Sequence, residues 1–220
     1  AGKRATILFD GAMSHANVYI NGQKVGYWPY GYNSFHFDIT KYLKPGEKNT
    51  LAVRLENLPE SSRWYPGAGL YRNVHLIITE DAYIPVWGTY ITTPSVNEKF
   101  AKVNVRTKVV LPEGADPAKY SVETSVWNPN KQKLTAVRTS LAQMKYNNNQ
   151  AEQEFVIQAP SLWSPEMPAL YSAETRLYEG DKLKDIYTTP FGIRSIEIIP
   201  DKGFFLNGKR TVFKGVCNHH

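Results

Sequence analysis

Asn17-Val-Tyr-Ile-Asn-Gly-Gln-Lys-Val-Gly-Tyr27 is the stretch that decides the fold. Two short runs flank Asn21-Gly22, and Asn-Gly readily takes positive φ at both central positions, as a two-residue hairpin turn requires. Upstream, residues 5–9 read as a short apolar strand. Downstream, Phe35, Phe37 and Ile39 alternate with His36 and Asp38, so one face is buried and the other wet. Residues 40–43 read as a single helical turn closed by Pro45-Gly46. Leu51, Val53 and Leu55 give another alternating strand, and Val74, Leu76 and Ile78 a last one. Short strands at regular spacing with Gly, Pro and Asn between them predict a β-sandwich or jelly roll over residues 1–80.

The pattern resumes after a crossing at residues 82–85. Residues 87–92 start a strand. Val103, Val105, Thr107 and Val109 alternate strictly with Asn104, Arg106 and Lys108, and Tyr120, Val122, Thr124 and Val126 do the same before the turn Asn128-Pro-Asn130. Phe155 and Ile157, then Tyr171, Ala173, Thr175 and Leu177, continue it. About seven strands with turns at regular intervals predict an immunoglobulin-like sandwich over residues 81–197. The fold class is therefore all-β, with two sandwich domains.

Composition agrees and excludes several functions. A chain of 220 residues holds two sandwiches of about 100 residues each. No apolar run approaches the ~20 residues of a membrane span. The net charge of +6 is spread along the chain without a Lys/Arg block, which argues against nucleic acid as a partner. The single cysteine, Cys217, excludes an internal disulfide. No signal peptide is read at the N-terminus, but a fragment would not show one, and cytoplasmic, periplasmic and secreted locations all fit a soluble protein of this composition.

The last twenty residues change character. Asp201-Lys-Gly-Phe-Phe-Leu-Asn-Gly-Lys-Arg-Thr-Val-Phe-Lys-Gly-Val-Cys-Asn-His-His220 carries two apolar runs, 204–206 and 211–213, across Asn207-Gly208. A further run, 212–216, ends in Cys217-Asn218-His219-His220. The residues leave two readings open: one more sandwich hairpin with two exposed histidines, or a buried strand delivering polar groups from its C-terminal end, as strands of a β/α barrel do. Cys217 and His219 share a face of a strand without facing each other, so a thiol nucleophile is not expected. Cys217, His219 and His220 are too crowded for a zinc site, and no metal is expected.

Residues 57–72, Asn-Leu-Pro-Glu-Ser-Ser-Arg-Trp-Tyr-Pro-Gly-Ala-Gly-Leu-Tyr-Arg, form a long loop between two strands. Flat aromatic surface takes the C–H face of a pyranose and a guanidinium donates to hydroxyls, so this loop suits sugar recognition. It equally suits a wedge between domains, and composition alone favours the wedge. Glu166, near Trp163, has the chemistry of an acid but sits beside a proline as turn residues do.

Several of these motifs resemble one family. Gly203-Phe-Phe-Leu-Asn-Gly-Lys209 with Lys214-Gly-Val-Cys-Asn-His-His220 is similar to the entry into the barrel of the family 2 glycoside hydrolases, the β-galactosidase group. Arg63-Trp-Tyr-Pro-Gly-Ala-Gly-Leu-Tyr-Arg72, Val18-Tyr-Ile-Asn-Gly-Gln-Lys-Val-Gly26 and Phe37-Asp-Ile-Thr40 resemble motifs of its jelly-roll domain. Leu162-Trp-Ser-Pro-Glu-Met-Pro-Ala-Leu-Tyr171 and Phe191-Gly-Ile-Arg194 resemble the closing motifs of its immunoglobulin-like domain.

The resemblance implies a jelly roll over 1–80, an immunoglobulin-like spacer over 81–197 and the start of a (β/α)8 catalytic barrel over 198–220. It implies that His219 contacts the sugar where the bond breaks, with Arg63 and Trp64 reaching the same pocket. Gly67 to Arg72 would be structural, with Arg72 in a buried pairing. Retaining glycoside hydrolysis needs two carboxyl groups about 5 Å apart. In this family both are glutamates on later barrel strands, so the stretch given is expected to be inactive alone. The parent protein would be a retaining exo-β-glycosidase, with a β-galactoside as its expected partner. β-Glucuronidases and β-mannosidases share the layout. Some relatives use magnesium or sodium, whose ligands would lie outside this chain. The family's jelly roll has strands before residue 1, so unpaired sandwich edges, or the C-terminal hairpin, are expected to promote self-association. Two other classes stay open on the residues alone: a stand-alone carbohydrate-binding pair of sandwiches, and a structural spacer.

Overall fold

The structure, a computed structural model, describes residues 2–60, 67–142 and 150–217. It divides into two compact units, Ala1–Asp81 together with the tail from Gly215, and Ala82–Lys214.

The first unit is built from β1 (Arg4–Phe9), β2 (Ala16–Ile20), β3 (Gln23–Trp28), β4 (Phe35–Asp38), β5 (Leu51–Arg54) and β6 (Val74–Thr79). One sheet has the order β4-β1-β6 and the other β3-β2-β5, all antiparallel. The predicted hairpin is present: Asn21 and Gly22 have φ of 52° and 80°, and β2 pairs with β3. The helical turn is a single 3-10 turn, Thr40–Tyr42. Alternate residues of the central strands, Ala5, Ile7 and Phe9 with Ala16, Val18 and Ile20, meet Phe35 and Ile39 in one core. A ring such as Phe9, fully buried and stacked 4.8 Å from Phe35, contributes about 1.5–3 kcal/mol by leaving water.

Among the described residues that core is open along one side. Val74, Leu76 and Ile78 stand opposite Phe9, Ile7 and Ala5 and share their inward face. Yet they are 39%, 63% and 51% exposed. Leu51, opposite Ile20, is also exposed.

The second unit is a sandwich of a four-stranded and a three-stranded sheet. Its strands are β7 (Thr89–Val96), β8 (Phe100–Lys108), β9 (Tyr120–Trp127), β10 (Lys133–Ser140), β11 (Gln150–Gln158), β12 (Tyr171–Glu179) and β13 (Lys182–Phe191). The sheets have the orders β10-β9-β12-β13 and β11-β8-β7. Every residue expected inside from the alternation of 103–109, 120–126, 155–157 and 171–177 is buried. Of the threonines among them, the Thr124 and Thr175 hydroxyls meet at 3.3 Å, while Thr107 Oγ1 is buried with no hydrogen-bond partner among the described residues. Gln153 crosses from one sheet to the other, its Nε2 donating to the carbonyls of Val122 and Val137 and to Thr139 Oγ1.

Two strands have no counterpart in the alternation, β10 and β13, and both are sheet edges. An edge strand packs only part of its inner face, which weakens the period-2 signal. β13 also contains Pro190, which an edge tolerates because the missing N–H is not needed by a second neighbour.

A separate three-stranded sheet follows, β14 (Ile196–Ile199), β15 (Gly203–Leu206) and β16 (Lys209–Arg210), in the order β14-β15-β16. The turn at Asn207-Gly208 is where the residues placed it, but the returning strand is Lys209–Arg210 rather than 211–213. The expected strand over 212–216 is absent: residues 211–217 form no regular element. Val212, Phe213 and Val216 are 66%, 74% and 93% exposed. A parallel strand takes its backbone partners from neighbouring strands, and none of the described residues offers one. Phe213 instead leans on the Phe204 ring at 4.6 Å.

Candidate functional site

Arg63 and Trp64 lie outside the described residues, as does His219. The structure describes the chain up to residue 60 and from residue 67 on, and as far as Cys217 at the other end.

The long loop leaves β5 and returns to β6 through two clamped stems. Glu56 N donates to the Ser14 carbonyl at 2.9 Å and Ser14 Oγ donates back to the Glu56 carbonyl at 2.8 Å. On the returning side Met13 and Gly69 exchange backbone hydrogen bonds of 3.0 and 3.1 Å. Gly69 has φ of +120°, a conformation open essentially to glycine alone. Tyr71 Oη donates to the Gly31 carbonyl at 2.9 Å, its ring seated on Gly11, where an added Cβ would stand 2.8 Å from the hydroxyl.

Arg72 corrects one expectation. It is exposed, with its Nη1 donating to the Asp10 carbonyl at 3.4 Å and its guanidinium over the Tyr71 ring at 5.1 Å. The Asp10 carboxylate in turn meets His75 Nε2 at 2.9 Å. Strand β6, which Arg72 approaches, is an edge strand with one neighbour, β1, among the described residues.

Beside the Met13–Gly69 stem lies a cavity of about 250 Å³ lined, among the described residues, by Met13, Tyr32, Gly67, Ala68 and Tyr71. Tyr30 meets Tyr32 edge-on at 5.6 Å and is itself 54% exposed. Aromatic faces with polar rims of this kind can take the apolar face of a sugar ring. Residue reading missed this group, although Tyr30-Gly-Tyr32 was a visible signal: the tyrosines come from a separate turn and meet Tyr71 only in the fold.

The hairpin that precedes the tail is held by a side chain of its own turn. Asn207 Oδ1 accepts from Ser195 N at 3.0 Å and its Nδ2 donates to the Trp163 carbonyl at 3.0 Å. The Arg194 guanidinium covers the Trp163 ring at 5.0 Å. Glu166 stands in the turn between Ser164 and Met167, which exchange backbone hydrogen bonds, and it is exposed. Cys217 is exposed as well.

Residues 1–80 match the family model "Glycosyl hydrolases family 2, sugar binding domain" and residues 83–194 match "Glycosyl hydrolases family 2". The chain is 40% identical over 221 residues to a β-galactosidase of Bacteroides ovatus, covering all of this chain and 26% of that enzyme. It is 36% identical over 231 residues to a β-glucuronidase of Bacteroides fragilis, covering 99% of this chain and 33% of that enzyme. Among solved structures, a glycosyl hydrolase family 2 member from Bacteroides cellulosilyticus superposes with a TM-score of 0.89 at 34% identity, covering 100% of this chain and 30% of that one. The chain thus spans about a quarter to a third of the relatives it matches.

Proposed function

This chain belongs to glycosyl hydrolases family 2, and from that premise we propose that it is the non-catalytic N-terminal part of a retaining exo-β-glycosidase acting on terminal β-galactosides. The observation that carries the reading is the back-to-back match of a sugar-binding domain at 1–80 and a second family domain at 83–194. The choice of sugar is supported by the 40% identity to a β-galactosidase. A β-glucuronide is the second reading, favoured by the 36% identity to a β-glucuronidase.

In this proposal the two carboxyl groups of a retaining mechanism, about 5 Å apart, lie in the remaining length of the enzyme. The chain itself binds and orients: His219 contacts the sugar at the scissile bond, Trp64 offers its ring to the sugar's C–H face, and Arg63 donates to hydroxyls. The residues 198–220 begin the catalytic barrel, and this chain alone does not hydrolyse glycosides.

The test is a panel of p-nitrophenyl β-glycosides offered to this chain and to the longer polypeptide that includes the downstream segment. Turnover of the galactoside by the longer protein alone is expected, and turnover of the glucuronide instead would reassign the sugar. Trp64→Ala in the longer protein is expected to raise KM about fivefold, since a stacked ring contributes on the order of 1 kcal/mol. Inactivity of the longer protein on every sugar would overturn the reading in favour of a carbohydrate-binding module.

A further inference from the structure

The turn between β15 and β16 holds more chemistry than a turn needs. Asn207 and Gly208 have φ of 51° and 75°, which a Gly-Gly pair would satisfy equally well. The Asn207 side chain is therefore surplus to the turn, and both of its polar atoms are used elsewhere. Its Oδ1 accepts from Ser195 N and its Nδ2 donates to the Trp163 carbonyl, each at 3.0 Å, while its backbone N donates to the Ser195 carbonyl at 3.0 Å.

The partner it grips is itself immobilised. Trp163 N donates to the Ile193 carbonyl at 2.8 Å. The indole lies against Gly192, where an added Cβ would stand 3.0 Å from its Cγ, and Arg194 covers the ring. Thr93 Oγ1 donates to the Arg194 carbonyl at 3.3 Å, carrying the anchorage to β7. By contrast, the β14-β15-β16 sheet pairs with no strand of either sandwich sheet among the described residues. A ladder therefore does not set its direction. The side chain of Asn207 bonds on both sides of the junction, to the connection after β13 and to the Trp163 segment.

We infer that Asn207 is a positioning residue: its carboxamide fixes the angle at which the hairpin, and the chain that continues toward His219, leaves the immunoglobulin-like sandwich. The consequence for catalysis rests on the proposed function above. If His219 contacts the sugar at the scissile bond, a hairpin free to swing misplaces it, and misplacement by about 1 Å costs rates of the order of a hundredfold.

The inference is tested by pulsed dipolar spectroscopy on this chain. Cys217→Ser removes the native thiol, and spin labels go on cysteines placed at Lys102, on β8, and at Lys202, at the far end of the hairpin. Both positions are exposed. The parent chain is expected to give a narrow distance distribution. Asn207→Gly keeps the turn and removes both side-chain bonds, and is expected to widen the distribution at least twofold. Asn207→Asp keeps the acceptor for Ser195 N and loses the donor to Trp163, and should fall between them. It serves as the reading variant where the glycine form does not fold. An unchanged distribution in Asn207→Gly or in Asn207→Asp overturns the inference.

In the longer enzyme Asn207→Gly is expected to lower kcat about tenfold or more with a smaller change in KM. A widened distribution with unchanged kcat overturns the catalytic consequence. A widened distribution beside a wild-type longer protein that hydrolyses nothing sinks the proposed function and leaves the joint standing.

Discussion

Asp185 shows how one carboxylate can set a pH dependence for a sandwich. It lies on β13, where its Oδ2 accepts from Ile84 N and its Oδ1 from Ile186 N, both at 2.8 Å. Burial pushes its carboxyl above the usual carboxylate range, and the two N–H groups only partly oppose this. Between its unfolded value of about 3.9 and its raised folded value, the native state therefore binds more protons than the unfolded one. Its contribution to stability is then fully present below the unfolded value and falls as pH rises through that window. Asp185→Asn cannot ionise, so urea midpoints of the parent relative to the variant are expected to decline with pH from about 4 upward, levelling above the folded value. A difference that stays flat across that range would refute the assignment.

At the scale of elements, the β2–β3 hairpin depends on a glycine that is not in its turn. Pairing shifts by one residue between Val18 and Tyr19, and Gly26 then faces Val18. The Phe37 ring of β4 lies directly over Gly26: an added Cβ would stand 2.3 Å from its Cε1. Phe37 also meets the Phe35 ring edge-on at 5.7 Å, so it has little room to retreat. Gly26→Ala is expected to destabilise the first unit by about 1–3 kcal/mol, the usual cost of overpacking. Urea unfolding checks it, and a loss below about 0.5 kcal/mol would show that Phe37 moves freely. The sequence announces the turn through Asn21-Gly22 and is silent about this contact. Gly26 and Phe37 are neighbours only because two different sheets face each other.

For the whole chain, the consequential surface is the open side of the first sandwich. Val74, Leu76 and Ile78 present inward-type side chains that nothing covers among the described residues, and β5 and β6 are both sheet edges. Exposed apolar edge strands recruit a second chain. The 220-residue chain is therefore expected to self-associate through this face, with a sedimentation coefficient that rises with concentration. Leu76→Lys should abolish that rise, because it places a charge in the middle of the apolar row. Association undiminished in the variant would move the interface elsewhere, the exposed Ile196 and Ile198 being the next surface to alter.

The sequence by itself determined the all-β class and most of the strands. Strict alternation such as Val103-Asn-Val105-Arg-Thr107 or Tyr120-Ser-Val122-Glu-Thr124 has one physical solution, a strand with one face buried. Asn-Gly pairs at 21–22 and 207–208 likewise admit the tight turns they form. The motifs around Arg63-Trp64 and Gly215-Val216 carried the family, because they are local. Edge strands β10 and β13 escaped since half of their neighbours are missing, and the run at 212–216 looked like a strand because hydrophobicity does not specify a pairing partner. Only the tertiary structure decided which side of the first core stands open. It alone brought Tyr32, Tyr71 and Met13 around one cavity and showed that the carboxamide of Asn207 reaches Trp163. Those arrangements rest on contacts between residues distant in sequence, and a contact of that kind leaves no periodic trace in the chain.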